Sequence, residues 1–145
     1  MRIWHKYLIT VLPRQQLLGQ WRECCLIAKN LAEKGTPNHV LVNRVTEYPK
    51  EHFIIYCYMI IGEMTRRGYD VNIERIAGYF EIEDTEKANE LVKDMSLNLN
   101  SMIFNGWHNN RYLCQCLCNL QEKYDCGAIP EEEWQVIAGR YPEFK

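Results

Sequence analysis

One hundred and forty-five residues, 47% of them apolar and including four Trp, nine Tyr and four Phe, predict a single domain over 1–145 with too much to bury for a disordered chain. The longest unbroken apolar run, Phe53 to Ile61, is nine residues against the roughly 20 that cross a bilayer, and no signal-peptide pattern opens the chain, so a cytoplasmic location is expected. The net charge of −2 hides an asymmetry: residues 1–67 carry ten Lys/Arg against five Asp/Glu (+5), and residues 68–145 carry seven against fourteen (−7), a division compatible with an anionic ligand on one face.

The periodicity is helical nearly throughout. Pro13 suits a helix start, and Leu17, Trp21, Cys24, Ala28 and Leu31 follow at spacings of three and four before Gly35 ends the run. Pro49 opens a second helix with Phe53, Cys57, Ile60, Ile61 and Met64 on one stripe. Ile54, Ile55, Tyr56 and Tyr58 make it apolar almost all round, as a central helix is. Arg66 and Arg67 complement the dipole of its last turn, and Gly68 stops it. Residues 72–80 suit a short helix. Asp84 is the expected N-cap of another, with Leu91, Met95, Leu99 and Met102 on one face and Gly106 as its breaker. Asn110 to Tyr124 reads as a helix ending at Gly127, and Pro130-Glu131-Glu132-Glu133 opens a last one. The β-branched stretch His39 to Val45 also suits a strand. The expected fold is all-α, a compact single-domain bundle of about five helices without a sheet.

No Gly-rich phosphate loop, G-x-S-x-G turn, H-E-x-x-H or paired Cys-x-x-Cys pattern occurs. Seven Cys is an odd count, and free thiols are expected. Cys114, Cys116 and Cys118, followed by Cys126, have two readings: core packing, or a thiol or metal sensor. On a helix only Cys114 and Cys118 share a face, with Cys116 about 200° away. The first predicted helix carries Gln16, Gly19, Gln20 and Glu23 at spacings of three and four. Glu23 is either a solvated acid paired with an Arg or a carboxylate facing a ligand, for which Gly19 one turn earlier leaves room.

Arg2-Ile3, then Leu17-Leu18-x-x-Trp21-Arg22-Glu23, then Arg66-Arg67-Gly68-Tyr69 together resemble the pyrimidine-dimer DNA glycosylases, the bacteriophage-type ultraviolet endonucleases. The run Met1 to His5, with Leu12-Pro13-Arg14-Gln15-Gln16-Leu17-Leu18-Gly19, is similar to a bacterial branch of that family. The resemblance covers residues 1–70 and is faint beyond residue 80. It implies a helical enzyme that removes a base from damaged double-stranded DNA and then cleaves the strand by β-elimination, with an N-terminal α-amine as nucleophile and no cofactor or metal. Characterised members expose a Thr after Met removal; Arg2 is too large a second residue for that processing, so Met1 is expected to stay and present its own amine. An α-amine has a reference pKa near 8 against about 10.4 for Lys, so a chain terminus is a nucleophile at neutral pH without deep burial.

By that resemblance Met1 and Glu23 are the catalytic pair, with the carboxylate stabilising a cationic Schiff base. Arg2 and Arg22 are the expected phosphate clamps, His39 a further DNA-facing group and Trp4 a wedge. Arg14 belongs to a basic surface with Lys6, Lys29, Lys34, Arg44, Arg66 and Arg67. A monomer is expected. The alternative is a catalytically inactive DNA- or protein-binding module of the same fold.

Overall fold

A computed structural model describes residues 1–94 and 103–144. Six α-helices and three 3₁₀ turns, with no strand, occur among the described residues: α1 (Arg14–Lys34), α2 (Lys50–Arg66), α3 (Glu74–Ala77), α4 (Ile82–Asp94), α5 (Asn110–Asp125) and α6 (Glu131–Arg140). The chain is all-α. No described helix is long and apolar enough to cross a membrane.

The predicted stripe of α1 is its buried side: Leu17, Trp21, Cys24 and Ala28 are inside, and Leu31 is half-buried. Gly35 closes the helix at φ 71°, its N–H bonded to the Leu31 carbonyl, a left-handed position that favours glycine. Helix α2 is buried on every side, from Phe53 through Tyr56 and Ile60 to Met64, and packs against α1 and α4. Its one buried acid, Glu63, explains the Arg66-Arg67 pair. The Arg66 Nε and the Arg67 Nε donate to its carboxylate at 2.9 and 2.7 Å. Burial alone would raise the Glu63 pKa; the two guanidiniums outweigh it and hold the carboxyl below the usual range.

Two expectations are corrected, and a third falls partly outside the described residues. His39 to Val45 is no strand: a turn leads into a 3₁₀ turn over Asn43–Glu47, organised by the Asn43 side chain, which accepts the His39 N–H at 3.0 Å. Asp84 is not an N-cap, because α4 begins two residues earlier at Ile82; its carboxylate instead meets Lys50 Nζ at 3.8 Å. The predicted helix beyond it is described only to Asp94, and Met95, Leu99 and Met102 lie outside the described residues.

Residues 103–109 form a turn ahead of α5 that buries Ile103, Phe104, Trp107 and His108 and leaves Asn105, Gly106 and Asn109 exposed. Phe104 sits at φ 57° with its ring fully buried, and Gly106 at φ 91°. Tyr48 pins the turn twice: its hydroxyl donates to the Asn105 carbonyl at 2.7 Å and accepts the Trp107 N–H at 3.0 Å. Asn109 then caps α5 through the Tyr112 N–H. Cys116, Leu117 and Leu120 face inward, and Cys114 and Cys118 face solvent, the split that helical spacing demands. Tyr124 of α5 stacks on Trp134 of α6 at 4.8 Å.

Candidate active site

The first residues form an extended segment that has no strand beside it, yet Ile3, Trp4, His5 and Lys6 are all buried. Their backbone groups therefore need partners from side chains. Gln20 of α1 supplies two: its Nε2 donates to the Arg2 carbonyl at 2.9 Å, and its Oε1 accepts the Trp4 N–H at 2.7 Å. These two backbone groups point the same way along an extended chain, so one amide does the work of a neighbouring strand. Tyr56 of α2 donates to the Trp4 carbonyl at 2.6 Å, and Tyr112 of α5 donates to the Ile3 carbonyl. Burial pushes both phenols well above their usual pKa, so they stay protonated donors. His108 Nδ1 accepts the Lys6 N–H at 3.0 Å. Three helices and a turn thus hold the chain end in one position.

At its outer end the same segment meets Glu23. The carboxylate is half-buried and Oε2 accepts the Arg2 N–H at 3.2 Å. Its partner is thus a backbone N–H, which disposes of the reading as a solvated acid paired with an arginine side chain. Covalent geometry places the Met1 nitrogen at most roughly 7 Å from that oxygen. Met1 itself is half-buried against the core. A Cβ built on Gly19 would meet only the Arg22 Nη2, at 3.8 Å, so the helix is open beside Glu23 and Gly19 serves no close approach of another backbone.

Behind the segment lies a desolvated basic cluster. His5 and His108 stack at 5.0 Å. Burial pushes His108 down to about 2, helped by the neighbouring His5, Lys6 and Arg44 charges, and pushes His5 down to about 4. Burial also takes Lys6 down to about 8; its ammonium is inside, donating to the Ile103 carbonyl at 2.6 Å. Lys6 is a packing residue rather than a surface cation.

The other predicted residues divide. Arg2 lies half-buried, its guanidinium 5.4 Å from the Trp4 ring and 3.7 Å from Cys116 Sγ. Trp4 is 6% exposed and braces the segment from inside, with no free ring to act as a wedge. Arg22 is exposed beside Glu23. Arg14 is exposed at the start of α1, its Nε donating to the Tyr69 hydroxyl, nine residues or about 13 Å of helix from Glu23. His39 stands past the other end of α1, its Nδ1 accepting the Leu41 N–H within its own turn. Tyr56, Tyr112 and His108 were missed by sequence reasoning: a buried tyrosine at helical spacing carries no mark that separates a donor from core, and the His108 acceptor sits in a turn whose partner, Lys6, is about a hundred residues away. Gln20 had a signal, an amide in the same row of α1 as Gln16 and Glu23 and yet buried between Leu17 and Trp21.

A family model described as pyrimidine dimer DNA glycosylase matches residues 1–77, more than half of the chain. The chain belongs to the pyrimidine dimer DNA glycosylase family. No curated protein and no solved structure matches it. The glycosylase-family match contains Glu23, Gln20 and Tyr56, whereas Tyr112 and His108, which complete the clamp on the N-terminal segment, lie beyond it.

Proposed function

We propose that this protein is a DNA repair glycosylase with abasic-site lyase activity on damaged double-stranded DNA, working through a Schiff base at the Met1 α-amine. The observation that carries the reading is the Glu23–Arg2 contact, which fixes a carboxylate one residue from the chain's first nitrogen. Membership of the family supports the substrate class.

The unprotonated amine attacks the sugar C1′, and the bond to the base breaks with its electron pair leaving on the base, which takes up a proton. Opening of the sugar ring gives a protonated imine. Its positive charge lies where Glu23 can stabilise it, in a half-buried setting that strengthens the attraction. The imine acts as an electron sink: the C2′ proton leaves, the electron pair moves toward nitrogen, and the 3′ phosphate departs. Water then hydrolyses the imine and restores the amine. A positioned acid/base of this kind contributes roughly 10²–10⁴-fold.

Arg22 and Arg14 are the phosphate contacts on this reading, with His39, in the turn beyond α1, a further DNA-facing group. Arg2 and Trp4 act from behind, holding the segment. An abasic-site duplex tests the activity: wild-type protein with an intact Met1 end should leave the β-elimination product, and E23Q should be slower by at least about 100-fold. Binding without any strand cleavage by wild type overturns the reading in favour of an inactive binding module.

A further inference from the structure

The outward face of α5 carries chemistry that the proposed DNA site leaves unused. Arg111, Cys114, Gln115, Cys118, Asn119 and Glu122 recur at spacings of three and four and border a shallow, open hollow of about 500 Å³. Cys114 and Cys118 are both exposed free thiols there, whereas Cys116 is turned into the core. Cβ atoms four residues apart on a helix lie about 5–6 Å from each other. Their sulfurs therefore reach the separation of about 3.8 Å that a tetrahedral ion with metal–sulfur bonds of about 2.3 Å demands. One chain supplies two of the four thiolates. No third His, Cys, Asp or Glu completes a cluster with them among the described residues.

The charges on the same face indicate where the other two come from. Arg111 and Glu122 flank the cysteine pair at nearly equal distances along the helix, both exposed and neither in an ion pair among the described residues. Two such helices laid antiparallel about a two-fold axis beside Cys116 and Leu117 set each Arg111 against Glu122 of the other copy. That pairing is self-complementary, as a two-fold interface requires, and it gathers four thiols at the axis. We propose that Cys114 and Cys118 of two copies of this chain bind one thiophilic d¹⁰ cation of the zinc class in a shared four-thiolate site. Binding releases four protons and changes no oxidation state.

The test uses the full, reduced, tag-free chain titrated with cadmium, which reports thiolate ligation by its ultraviolet charge-transfer band. The expected result is saturation at one cadmium per two chains, with sedimentation shifting from monomer to dimer and a chelator reversing both. C114S/C118S should lose the band and the dimer together. E122R should weaken the cadmium-dependent dimer about tenfold, and R111E/E122R should restore it, since both positions are exposed and the exchange re-forms the pairs. One cadmium per chain on a monomer, or a cadmium-driven dimer that persists in C114S/C118S, overturns the proposal.

Discussion

Gln20 shows how much one buried amide can decide. It satisfies two backbone groups of a segment that has no sheet, and Tyr56 donates to the same segment's Trp4 carbonyl. Tyr56→Phe leaves that carbonyl buried without a donor, and denaturant unfolding should show a loss of about 1–3 kcal/mol. Glu23→Gln is the contrasting substitution. Its amide oxygen still accepts the Arg2 N–H, so stability should stay within about 0.5 kcal/mol while strand cleavage collapses. A stability loss as large as that of Tyr56→Phe would make Glu23 a structural residue instead. Gly19 separates the two kinds of effect further. Nothing but the mobile end of Arg22 meets an added Cβ, so Gly19→Ala should stabilise α1 by about 1 kcal/mol, read as a raised unfolding midpoint. Glu23 was legible because its helix row and its neighbours Trp21 and Arg22 form a short pattern. The tyrosines were not, since their role depends on contacts spanning 52 and 109 residues of sequence.

At the scale of the element, α1 is both wall of the site and the surface nearest to it. Of the nine basic residues of the N-terminal half first read as one surface, Lys6 is buried, Arg2 is half-buried, Arg66 and Arg67 hold Glu63, and Arg44 pairs with Glu47. Four remain exposed: Arg14, Arg22 and Lys29 along one side of α1, within about 80° of one another by helical rotation, and Lys34 about 140° round from Lys29. On the proposed function, with Lys29 joining Arg14 and Arg22, three phosphate contacts would give a slope of log affinity against log salt near −3, and Arg22→Ala should flatten it by about one. A slope unchanged by that substitution would remove Arg22 from the interface. Helices α1 and α2 were readable end to end because a 3.6-residue stripe and a terminal glycine agree. The Asp84 cap was misread for a local reason: Asp is equally at home in a first turn, where the dipole favours it, and here Lys50 attracts it as well. Arg66 and Arg67 were read only as cations at a helix end; their grip on Glu63 shows only once that carboxylate is seen to be buried.

For the whole molecule, the N-terminal segment is stapled over two imidazoles that folding keeps uncharged. His5 and His108 have folded pKa values of about 4 and about 2 against 6.5 when unfolded, so the unfolded chain takes up their protons first as the pH drops. The imidazole contribution to stability is therefore full above about pH 7 and falls from 6.5 downward, by up to about 1.4 kcal/mol per pH unit for each imidazole. Glu63, held low by its arginines, adds to the loss at still lower pH. Unfolding free energies at pH 7.5 and 5.5 should differ by about 2–3 kcal/mol; equal values would mean that the two imidazoles are not held neutral. On the proposed function the same staple would position the Met1 amine, since an amine on a free tail would have no fixed relation to Glu23. Borohydride trapping on an abasic-site duplex, with protein whose N-terminal mass is confirmed as intact, measures that relation directly. A covalent adduct on the Met1 peptide, lost on N-terminal acetylation, is the expected result. An adduct on a lysine peptide, or none at all, contradicts the proposed pairing of the Met1 amine with Glu23.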